Sequence, residues 1–316
     1  MSSLNQEAML RFRSRSISSM NRNKINGLLA EVDLRRYLGE LGFADRISPG
    51  GWIVRREGAG AFGHHTVVFF PEIIQAAYDY SIDRILPTPA HKLHTISATF
   101  HQTGIAAYFC VARIGQNNDP ESVSWYAKQL GLPSEQSYAP FQQCLTGAFR
   151  TRERKYTFLR YHTDTDAIPA HAIDEEYSKE NIRIAFQSSF MAEMSDVDGI
   201  FWGQRYTYPL EIKEKTPAND RALGQFFGLD LGAFVKLSYY AAKQGNLHSL
   251  FIVREIDSVE TRNLVSWWFI TYERLAQFAS WIPQGGGTSM IGSQSSVVRV
   301  PKAEFQLLTA ENLRCL

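Results

Sequence analysis

Cysteine is scarce in this chain. Its 316 residues include three, Cys110, Cys144 and Cys315, and none forms a Cys-x-x-Cys pair. A structural zinc ribbon is therefore not expected, and a sparse, odd count fits a reducing cytoplasm. Charge of one sign is not in excess either: 33 lysines and arginines stand against 32 aspartates and glutamates. Any nucleic-acid surface then has to come from local clustering. No apolar run approaches about 18 residues, so no transmembrane helix is expected. The opening stretch MSSLNQEAMLRFRSRS holds no apolar segment of the secretory kind, which places the expected setting in the cytoplasm. Internal repeats, low-complexity tracts, a helicase or ATPase motif and a nucleophile-elbow serine are also absent from the sequence.

What is present suffices for a large core. Hydrophobic residues make up 44% and aromatics 13%, which rules out global disorder. The length suggests about two domains, or one with a large insertion. Residues 24–42, KINGLLAEVDLRRYLGELG, read as an amphipathic helix with Leu28, Val32, Leu34, Leu38 and Leu41 on one face and Gly42 as its stop. Ahead of it, residues 11–24 carry basic side chains and no acid. In residues 43–180 the pattern suggests a helix entered near Pro71, two strands joined at Gln102–Gly104, and a short helix in PESVSWYAKQLG. Further on, NIRIAFQSSFM reads as a strand, residues 230–245 as a helix ended by Gly245, and LHSLFIVREI as a buried strand. LVSWWFITYERLAQFASWI reads as a strand leading into a helix, PQGGGTSMIGSQSS as a loop, and VVRVPKAEFQLL as a last strand-like segment. The sum is an α/β sandwich. The expected division is 1–45 for the N-terminal segment and first helix, 46–179 for an inserted α+β region, and 180–316 for the core and a C-terminal extension.

One stretch does not fit a plain core. DVDGIFWGQRYTYPLEIKEK, from Asp196 to Lys215, reads as strand, tight turn, strand. With the turn centred on Gln204–Arg205, Asp198 falls opposite Glu211 and Asp196 opposite Lys213, and alternation puts all four on one face. A bulge would shift these partners. Carboxylates placed directly opposite each other repel, more so in apolar surroundings. A divalent cation removes that repulsion, and oxygen ligands favour a hard cation such as magnesium. The alternative is a solvated surface hairpin whose charges form a salt-bridge ladder.

Asp198, followed after twelve residues by Glu211-Ile212-Lys213, resembles the PD-(D/E)XK nuclease signature. The surrounding context, DGIFW, turn, YPLEIK, helix and buried strand, is similar to the core of restriction-endonuclease-like enzymes, as is the first helix. The resemblance covers that helix and roughly residues 181–256, not 43–180. Where the family name has a proline before the aspartate, Val197 stands here. The resemblance implies a central mixed sheet flanked by helices. It implies Mg2+ (Mn2+ as a substitute) held by Asp198, Glu211 and the main-chain carbonyl of Ile212. It implies Lys213 assisting the attacking water and Glu31 supporting a metal or its water. Asp196 is the rival for the aspartate role. The activity it implies is hydrolysis of DNA phosphodiester bonds, first of all by a type II restriction endonuclease. Such an enzyme would act as a homodimer on double-stranded DNA beside a methyltransferase acting on the same site. A structure-specific repair or junction nuclease and a non-catalytic DNA-binding or interaction protein are the rival readings.

Other clusters carry competing signals. Arg150, Arg152, Arg154, Lys155 and Arg160, interleaved with aromatics, suit either a phosphate-contacting strand or a charged edge. A second acid-x-lysine, Glu153-Arg154-Lys155, has no apolar strand leading into it. His64-His65 and His91/His94 lack the acid or cysteine that would complete a zinc site. QGGGTSMIG lacks the lysine of a P-loop and reads as a flexible connection.

Overall fold

The computed structural model describes residues 6–7, 9–10, 22–55, 66–115, 122–131, 137–144, 168–189, 193–243, 245–290 and 293–316. Along the chain, helix α1 (Arg22–Glu40) precedes strands β1 (Ile47–Ser48), β2 (Gly51–Arg55) and β3 (Thr66–Pro71). Helix α2 (His91–Gln102), β4 (Ile105–Ile114), β5 (Val123–Gln129) and β6 (Ala139–Pro140) follow, then helix α3 (Ala170–Ser189) and β7 (Glu193–Val197). Next come β8 (Gly199–Trp202), β9 (Thr207–Lys215), β10 (Ala218–Asp220), β11 (Gly224–Asp230) and helix α4 (Leu231–Ala241). The chain closes with β12 (Leu250–Ile256), β13 (Leu264–Thr271), α5 (Tyr272–Phe278), β14 (Gln284–Met290), β15 (Ser293–Pro301), β16 (Gln306–Leu307) and α6 (Ala310–Arg314). The class is α/β with mixed sheets, and no described helix is long and apolar enough to cross a membrane.

The chain divides into two compact units, residues 1–32 with 50–196, and residues 33–49 with 197–316. The first holds a sheet in the order β6-β5-β4-β3-β2-β7, with β3 and β4 parallel. Its core gathers Ile25 and Leu28 of α1, Phe69, Cys110, Trp125, Ala172, Ile173 and Tyr177. The second unit holds a six-stranded sheet, β1-β8-β9-β12-β13-β16, and a smaller one, β10-β11-β15-β14. Phe227, Leu237, Phe251, Val253, Ile270, Leu275, Val298 and Phe305 pack there. Helix α1 ends as the sequence suggests. Gly42 adopts φ +85, its amide reaches the Gly39 carbonyl, and the Phe43 amide reaches that of Leu38, a Schellman closure.

Several local expectations are corrected. TISATFHQ, expected as the first of two strands, belongs instead to the helix His91–Gln102, because Leu93, Ile96, Ser97 and Phe100 are its buried positions, a 3.6-residue spacing. PESVSWYAKQLG contributes β5, not a helix, because Val123–Gln129 pairs with β4 from end to end and buries Trp125 and Ala127 in alternation. NIRIAFQSSFM is no strand; its part up to Ser189 completes α3. Its alternation misleads because the helical face is set upstream, by Ala172, Ile173 and Tyr177. No helix follows Pro71. Residues there turn back on themselves, with Glu72 gripping Arg84 and Arg84 lying 4.2 Å over the Tyr80 ring. The glycine-rich loop at 284–290 is strand β14, paired with β15 around an irregularity between Gly285 and Ser289.

Candidate functional site

The hairpin of β8 and β9 sets the geometry of the second unit's charged residues. Its register is the one the tight turn implies: Gly199 faces Leu210, Ile200 faces Pro209, Phe201 faces Tyr208 and Trp202 faces Thr207. The Gly203 amide donates to the Tyr206 carbonyl across the turn. Only glycine fits at 203, since a Cβ there would lie 2.6 Å from the Leu316 carbonyl oxygen and 2.8 Å from the Tyr208 ring. Backbone pairing stops at Gly199. One residue earlier, the Asp198 carboxylate takes its place and accepts the Ile212 amide at 2.8 Å. That bond satisfies a buried main-chain donor that has lost its strand partner. Asp198 is 5% exposed and Glu211 3%, so a solvated ladder does not describe them.

Alternation along β9 puts Glu211, Lys213 and Lys215 on one face and Ile212 and Glu214 on the other. Both oxygens of Glu211 are engaged: the Lys213 ammonium lies 2.7 Å from Oε1, and the Lys236 ammonium bonds Oε2. Lys236 comes from α4, which crosses over between β9 and its parallel neighbour β12. Burial disfavours the charged form of Lys213, but Glu211 and Asp198 outweigh it and hold the ammonium well above the ordinary lysine range. Lys215 behaves oppositely. Burial and the neighbouring Lys213 push it below its ordinary value, although Asp230 and Glu211 oppose them.

The opposite face of β9 is anchored. Glu214 accepts Arg262 through both oxygens at 2.8 Å and Arg254 at 3.1 Å, and Arg254 also reaches Asp33 at 2.8 Å. Arg262 adopts φ 54, a left-handed conformation unusual outside glycine. The two carboxyl oxygens of Glu214 hold it there.

The second unit thus brings together Asp198, Glu211, Ile212 and Lys213. Glu31 belongs to the first unit, where Lys179 meets its carboxylate at 3.0 Å. Asp196 also belongs to the first unit, exposed on β7, which joins the sheet beside β2. Neither expected opposite pair, Asp198 with Glu211 nor Asp196 with Lys213, is a rung of the β8–β9 ladder, which ends at Gly199–Leu210. Arg150, Arg152, Arg154, Lys155 and Arg160 lie outside the described residues, as do His64 and His65, while His91 and His94 lie in the first turn of α2. Lys236 escaped the sequence reading. Its signal was a lone charge in the apolar run LGAFVKLSYYAA.

For a divalent cation the donor set is Asp198, Glu211 and the Ile212 carbonyl. Among the described residues no cluster of three histidine, cysteine or acidic side chains is poised around one point. Magnesium keeps several waters and takes one or two protein carboxylates; Asp198 and Glu211 are the two that would supply them, with Glu211 paired to Lys213 and Lys236. No family model matches the chain, and neither the curated proteins nor the solved structures contain a match.

Proposed function

We propose that the second unit carries the centre of a magnesium-dependent endonuclease of the PD-(D/E)XK type that hydrolyses DNA phosphodiester bonds. The observation that carries this reading is the buried Asp198, bonded to the backbone of the strand that presents Glu211 and Lys213. A hairpin with the acid before one strand and acid-x-lysine on the next, followed after β10 and β11 by a helix and a parallel strand, supports that reading. Within that class the reading is a type II restriction endonuclease with a restriction-endonuclease-like fold. It would act as a homodimer on duplex DNA, with a methyltransferase as its companion.

Asp198, Glu211 and the Ile212 carbonyl would hold the magnesium ion, which supplies positive charge for water activation and for the phosphoryl transition state. The protein's own residues divide the remaining work. The Asp198–Ile212 bond fixes the first acid against the strand carrying the second. Lys213, with its side chain 34% exposed, reaches solvent from its Glu211 partner. As an ammonium it orients the attacking water.

The test is a panel of plasmids and a branched duplex incubated with protein and magnesium, beside Lys213→Ala and an EDTA control. Discrete fragments from wild type, none in EDTA, and at least a ~100-fold loss in the variant are expected. Intact plasmids under wild type, or equal cutting by Lys213→Ala, would overturn the reading. Cutting confined to branched DNA would move the assignment to a junction nuclease.

A further inference from the structure

Glu211 is matched by two ammonium groups where a single one would neutralise it. Lys213 reaches Oε1 from β9 itself, and Lys236 reaches Oε2 from α4. The Lys236 side chain is only 15% exposed and projects from an apolar helix that buries Leu237, Tyr239 and Tyr240. Removing an ammonium from water is unfavourable, and here Lys236 shares its buried acid with Lys213. Among the described residues, Lys213, Lys215 and Lys236 already stand against Asp198, Glu211 and Asp230. A divalent cation would leave the site positive by about two charges. That surplus suits a phosphodiester, whose negative charge grows as water attacks.

We infer that Lys236 is a second catalytic cation, whose ammonium binds a non-bridging oxygen of the scissile phosphate; this rests on the nuclease reading above. The water oxygen bonds to phosphorus while the bond from phosphorus to the leaving sugar oxygen breaks. The water's proton passes to solvent, and the leaving oxygen takes a proton from solvent. Lys236 stays protonated throughout and contributes charge alone. Lys213 serves the water, and Lys236 serves the phosphate.

The experiment compares wild type, Lys236→Met, Lys236→Gln, Lys236→Arg and Lys213→Ala. Cleavage of plasmid DNA is measured in magnesium, and binding of a short duplex in calcium is measured across a range of salt concentrations. Loss of the phosphate contact predicts at least a ~100-fold slower cleavage in Lys236→Met and Lys236→Gln. Lys236→Arg should recover at least about tenfold of it, because a guanidinium also binds phosphate. The slope of log binding constant against log salt should fall by about 0.9 in both neutral variants. A merely structural lysine would leave that slope unchanged. Where the methionine variant does not fold, the glutamine variant carries the same comparison. Cleavage by a folded neutral variant within about threefold of wild type, or an unchanged salt slope, or no advantage of arginine over methionine, overturns the inference. If Lys213→Ala is inactive while the neutral Lys236 variants cut normally, the nuclease reading stands and this inference falls. If wild type leaves DNA intact, both fall.

Discussion

Replacing Glu211 by glutamine leaves the Lys213 and Lys236 ammonium groups facing each other without their shared anion. Removing one partner of a buried ion pair costs about 3–5 kcal/mol. Here the lower end applies. Lys213 is 34% exposed and recovers water, and Asp198 also offers it charge, so the expected loss is about 3 kcal/mol. Lys236→Met is milder, since Glu211 keeps Lys213 and the new side chain suits the apolar helix; about 1 kcal/mol is expected. The double variant removes the buried acid together with the lysine that most depends on it. It should lose about 2 kcal/mol rather than the ~4 of a simple sum, a coupling of about 2 kcal/mol. Urea denaturation of the four proteins at neutral pH, with midpoints compared at a common slope, measures this cycle. Additivity within about 0.5 kcal/mol would refute the shared buried pairing of Glu211 and Lys236.

Two further outcomes follow from other parts of the second unit. Gly203→Ala forces a methyl against the Leu316 carbonyl and the Tyr208 ring, and overpacking of that kind lowers stability by about 1–3 kcal/mol; an unchanged melting temperature would contradict the close approach. Asp33 is held below the ordinary carboxylate value of 3.8: burial pushes it up, but hydrogen bonds from Arg36 and Arg254 and their charges outweigh that. Its stabilisation is fully present above that value and fades as pH falls through the lowered one. The melting advantage of wild type over Asp33→Asn should therefore hold near neutrality and shrink in a pH series descending below 3.8.

The hairpin was legible in the sequence because its register depends on a short turn and on apolar alternation, both local. The stop at Gly42 was legible for the same reason: a glycine after an apolar face supplies the left-handed residue that a helix end needs. Lys236 was not, because its meaning comes from Glu211, which α4 meets only after the chain has built β10 and β11. The small sheet was hidden by glycines in β14, which weaken the strand pattern until β15 supplies the partner. His91–Gln102 and NIRIAFQSSFM show the ambiguity of short apolar runs. Ile96, Phe100 and Ile182 suit either period, and burial along the neighbouring turns decides.

The grip on Glu214 bears on how β9 keeps its place. A slip of one residue would exchange Glu211 and Lys213 for Ile212 and Glu214, bringing an apolar side chain and the wrong acid to the face of Lys236. Four attachments oppose such sliding: the ladders to β8 and to β12, the Asp198 bond to the Ile212 amide, and the arginines that hold Glu214 from behind. Arg254 and Arg262 therefore act as a ratchet pawl for the strand.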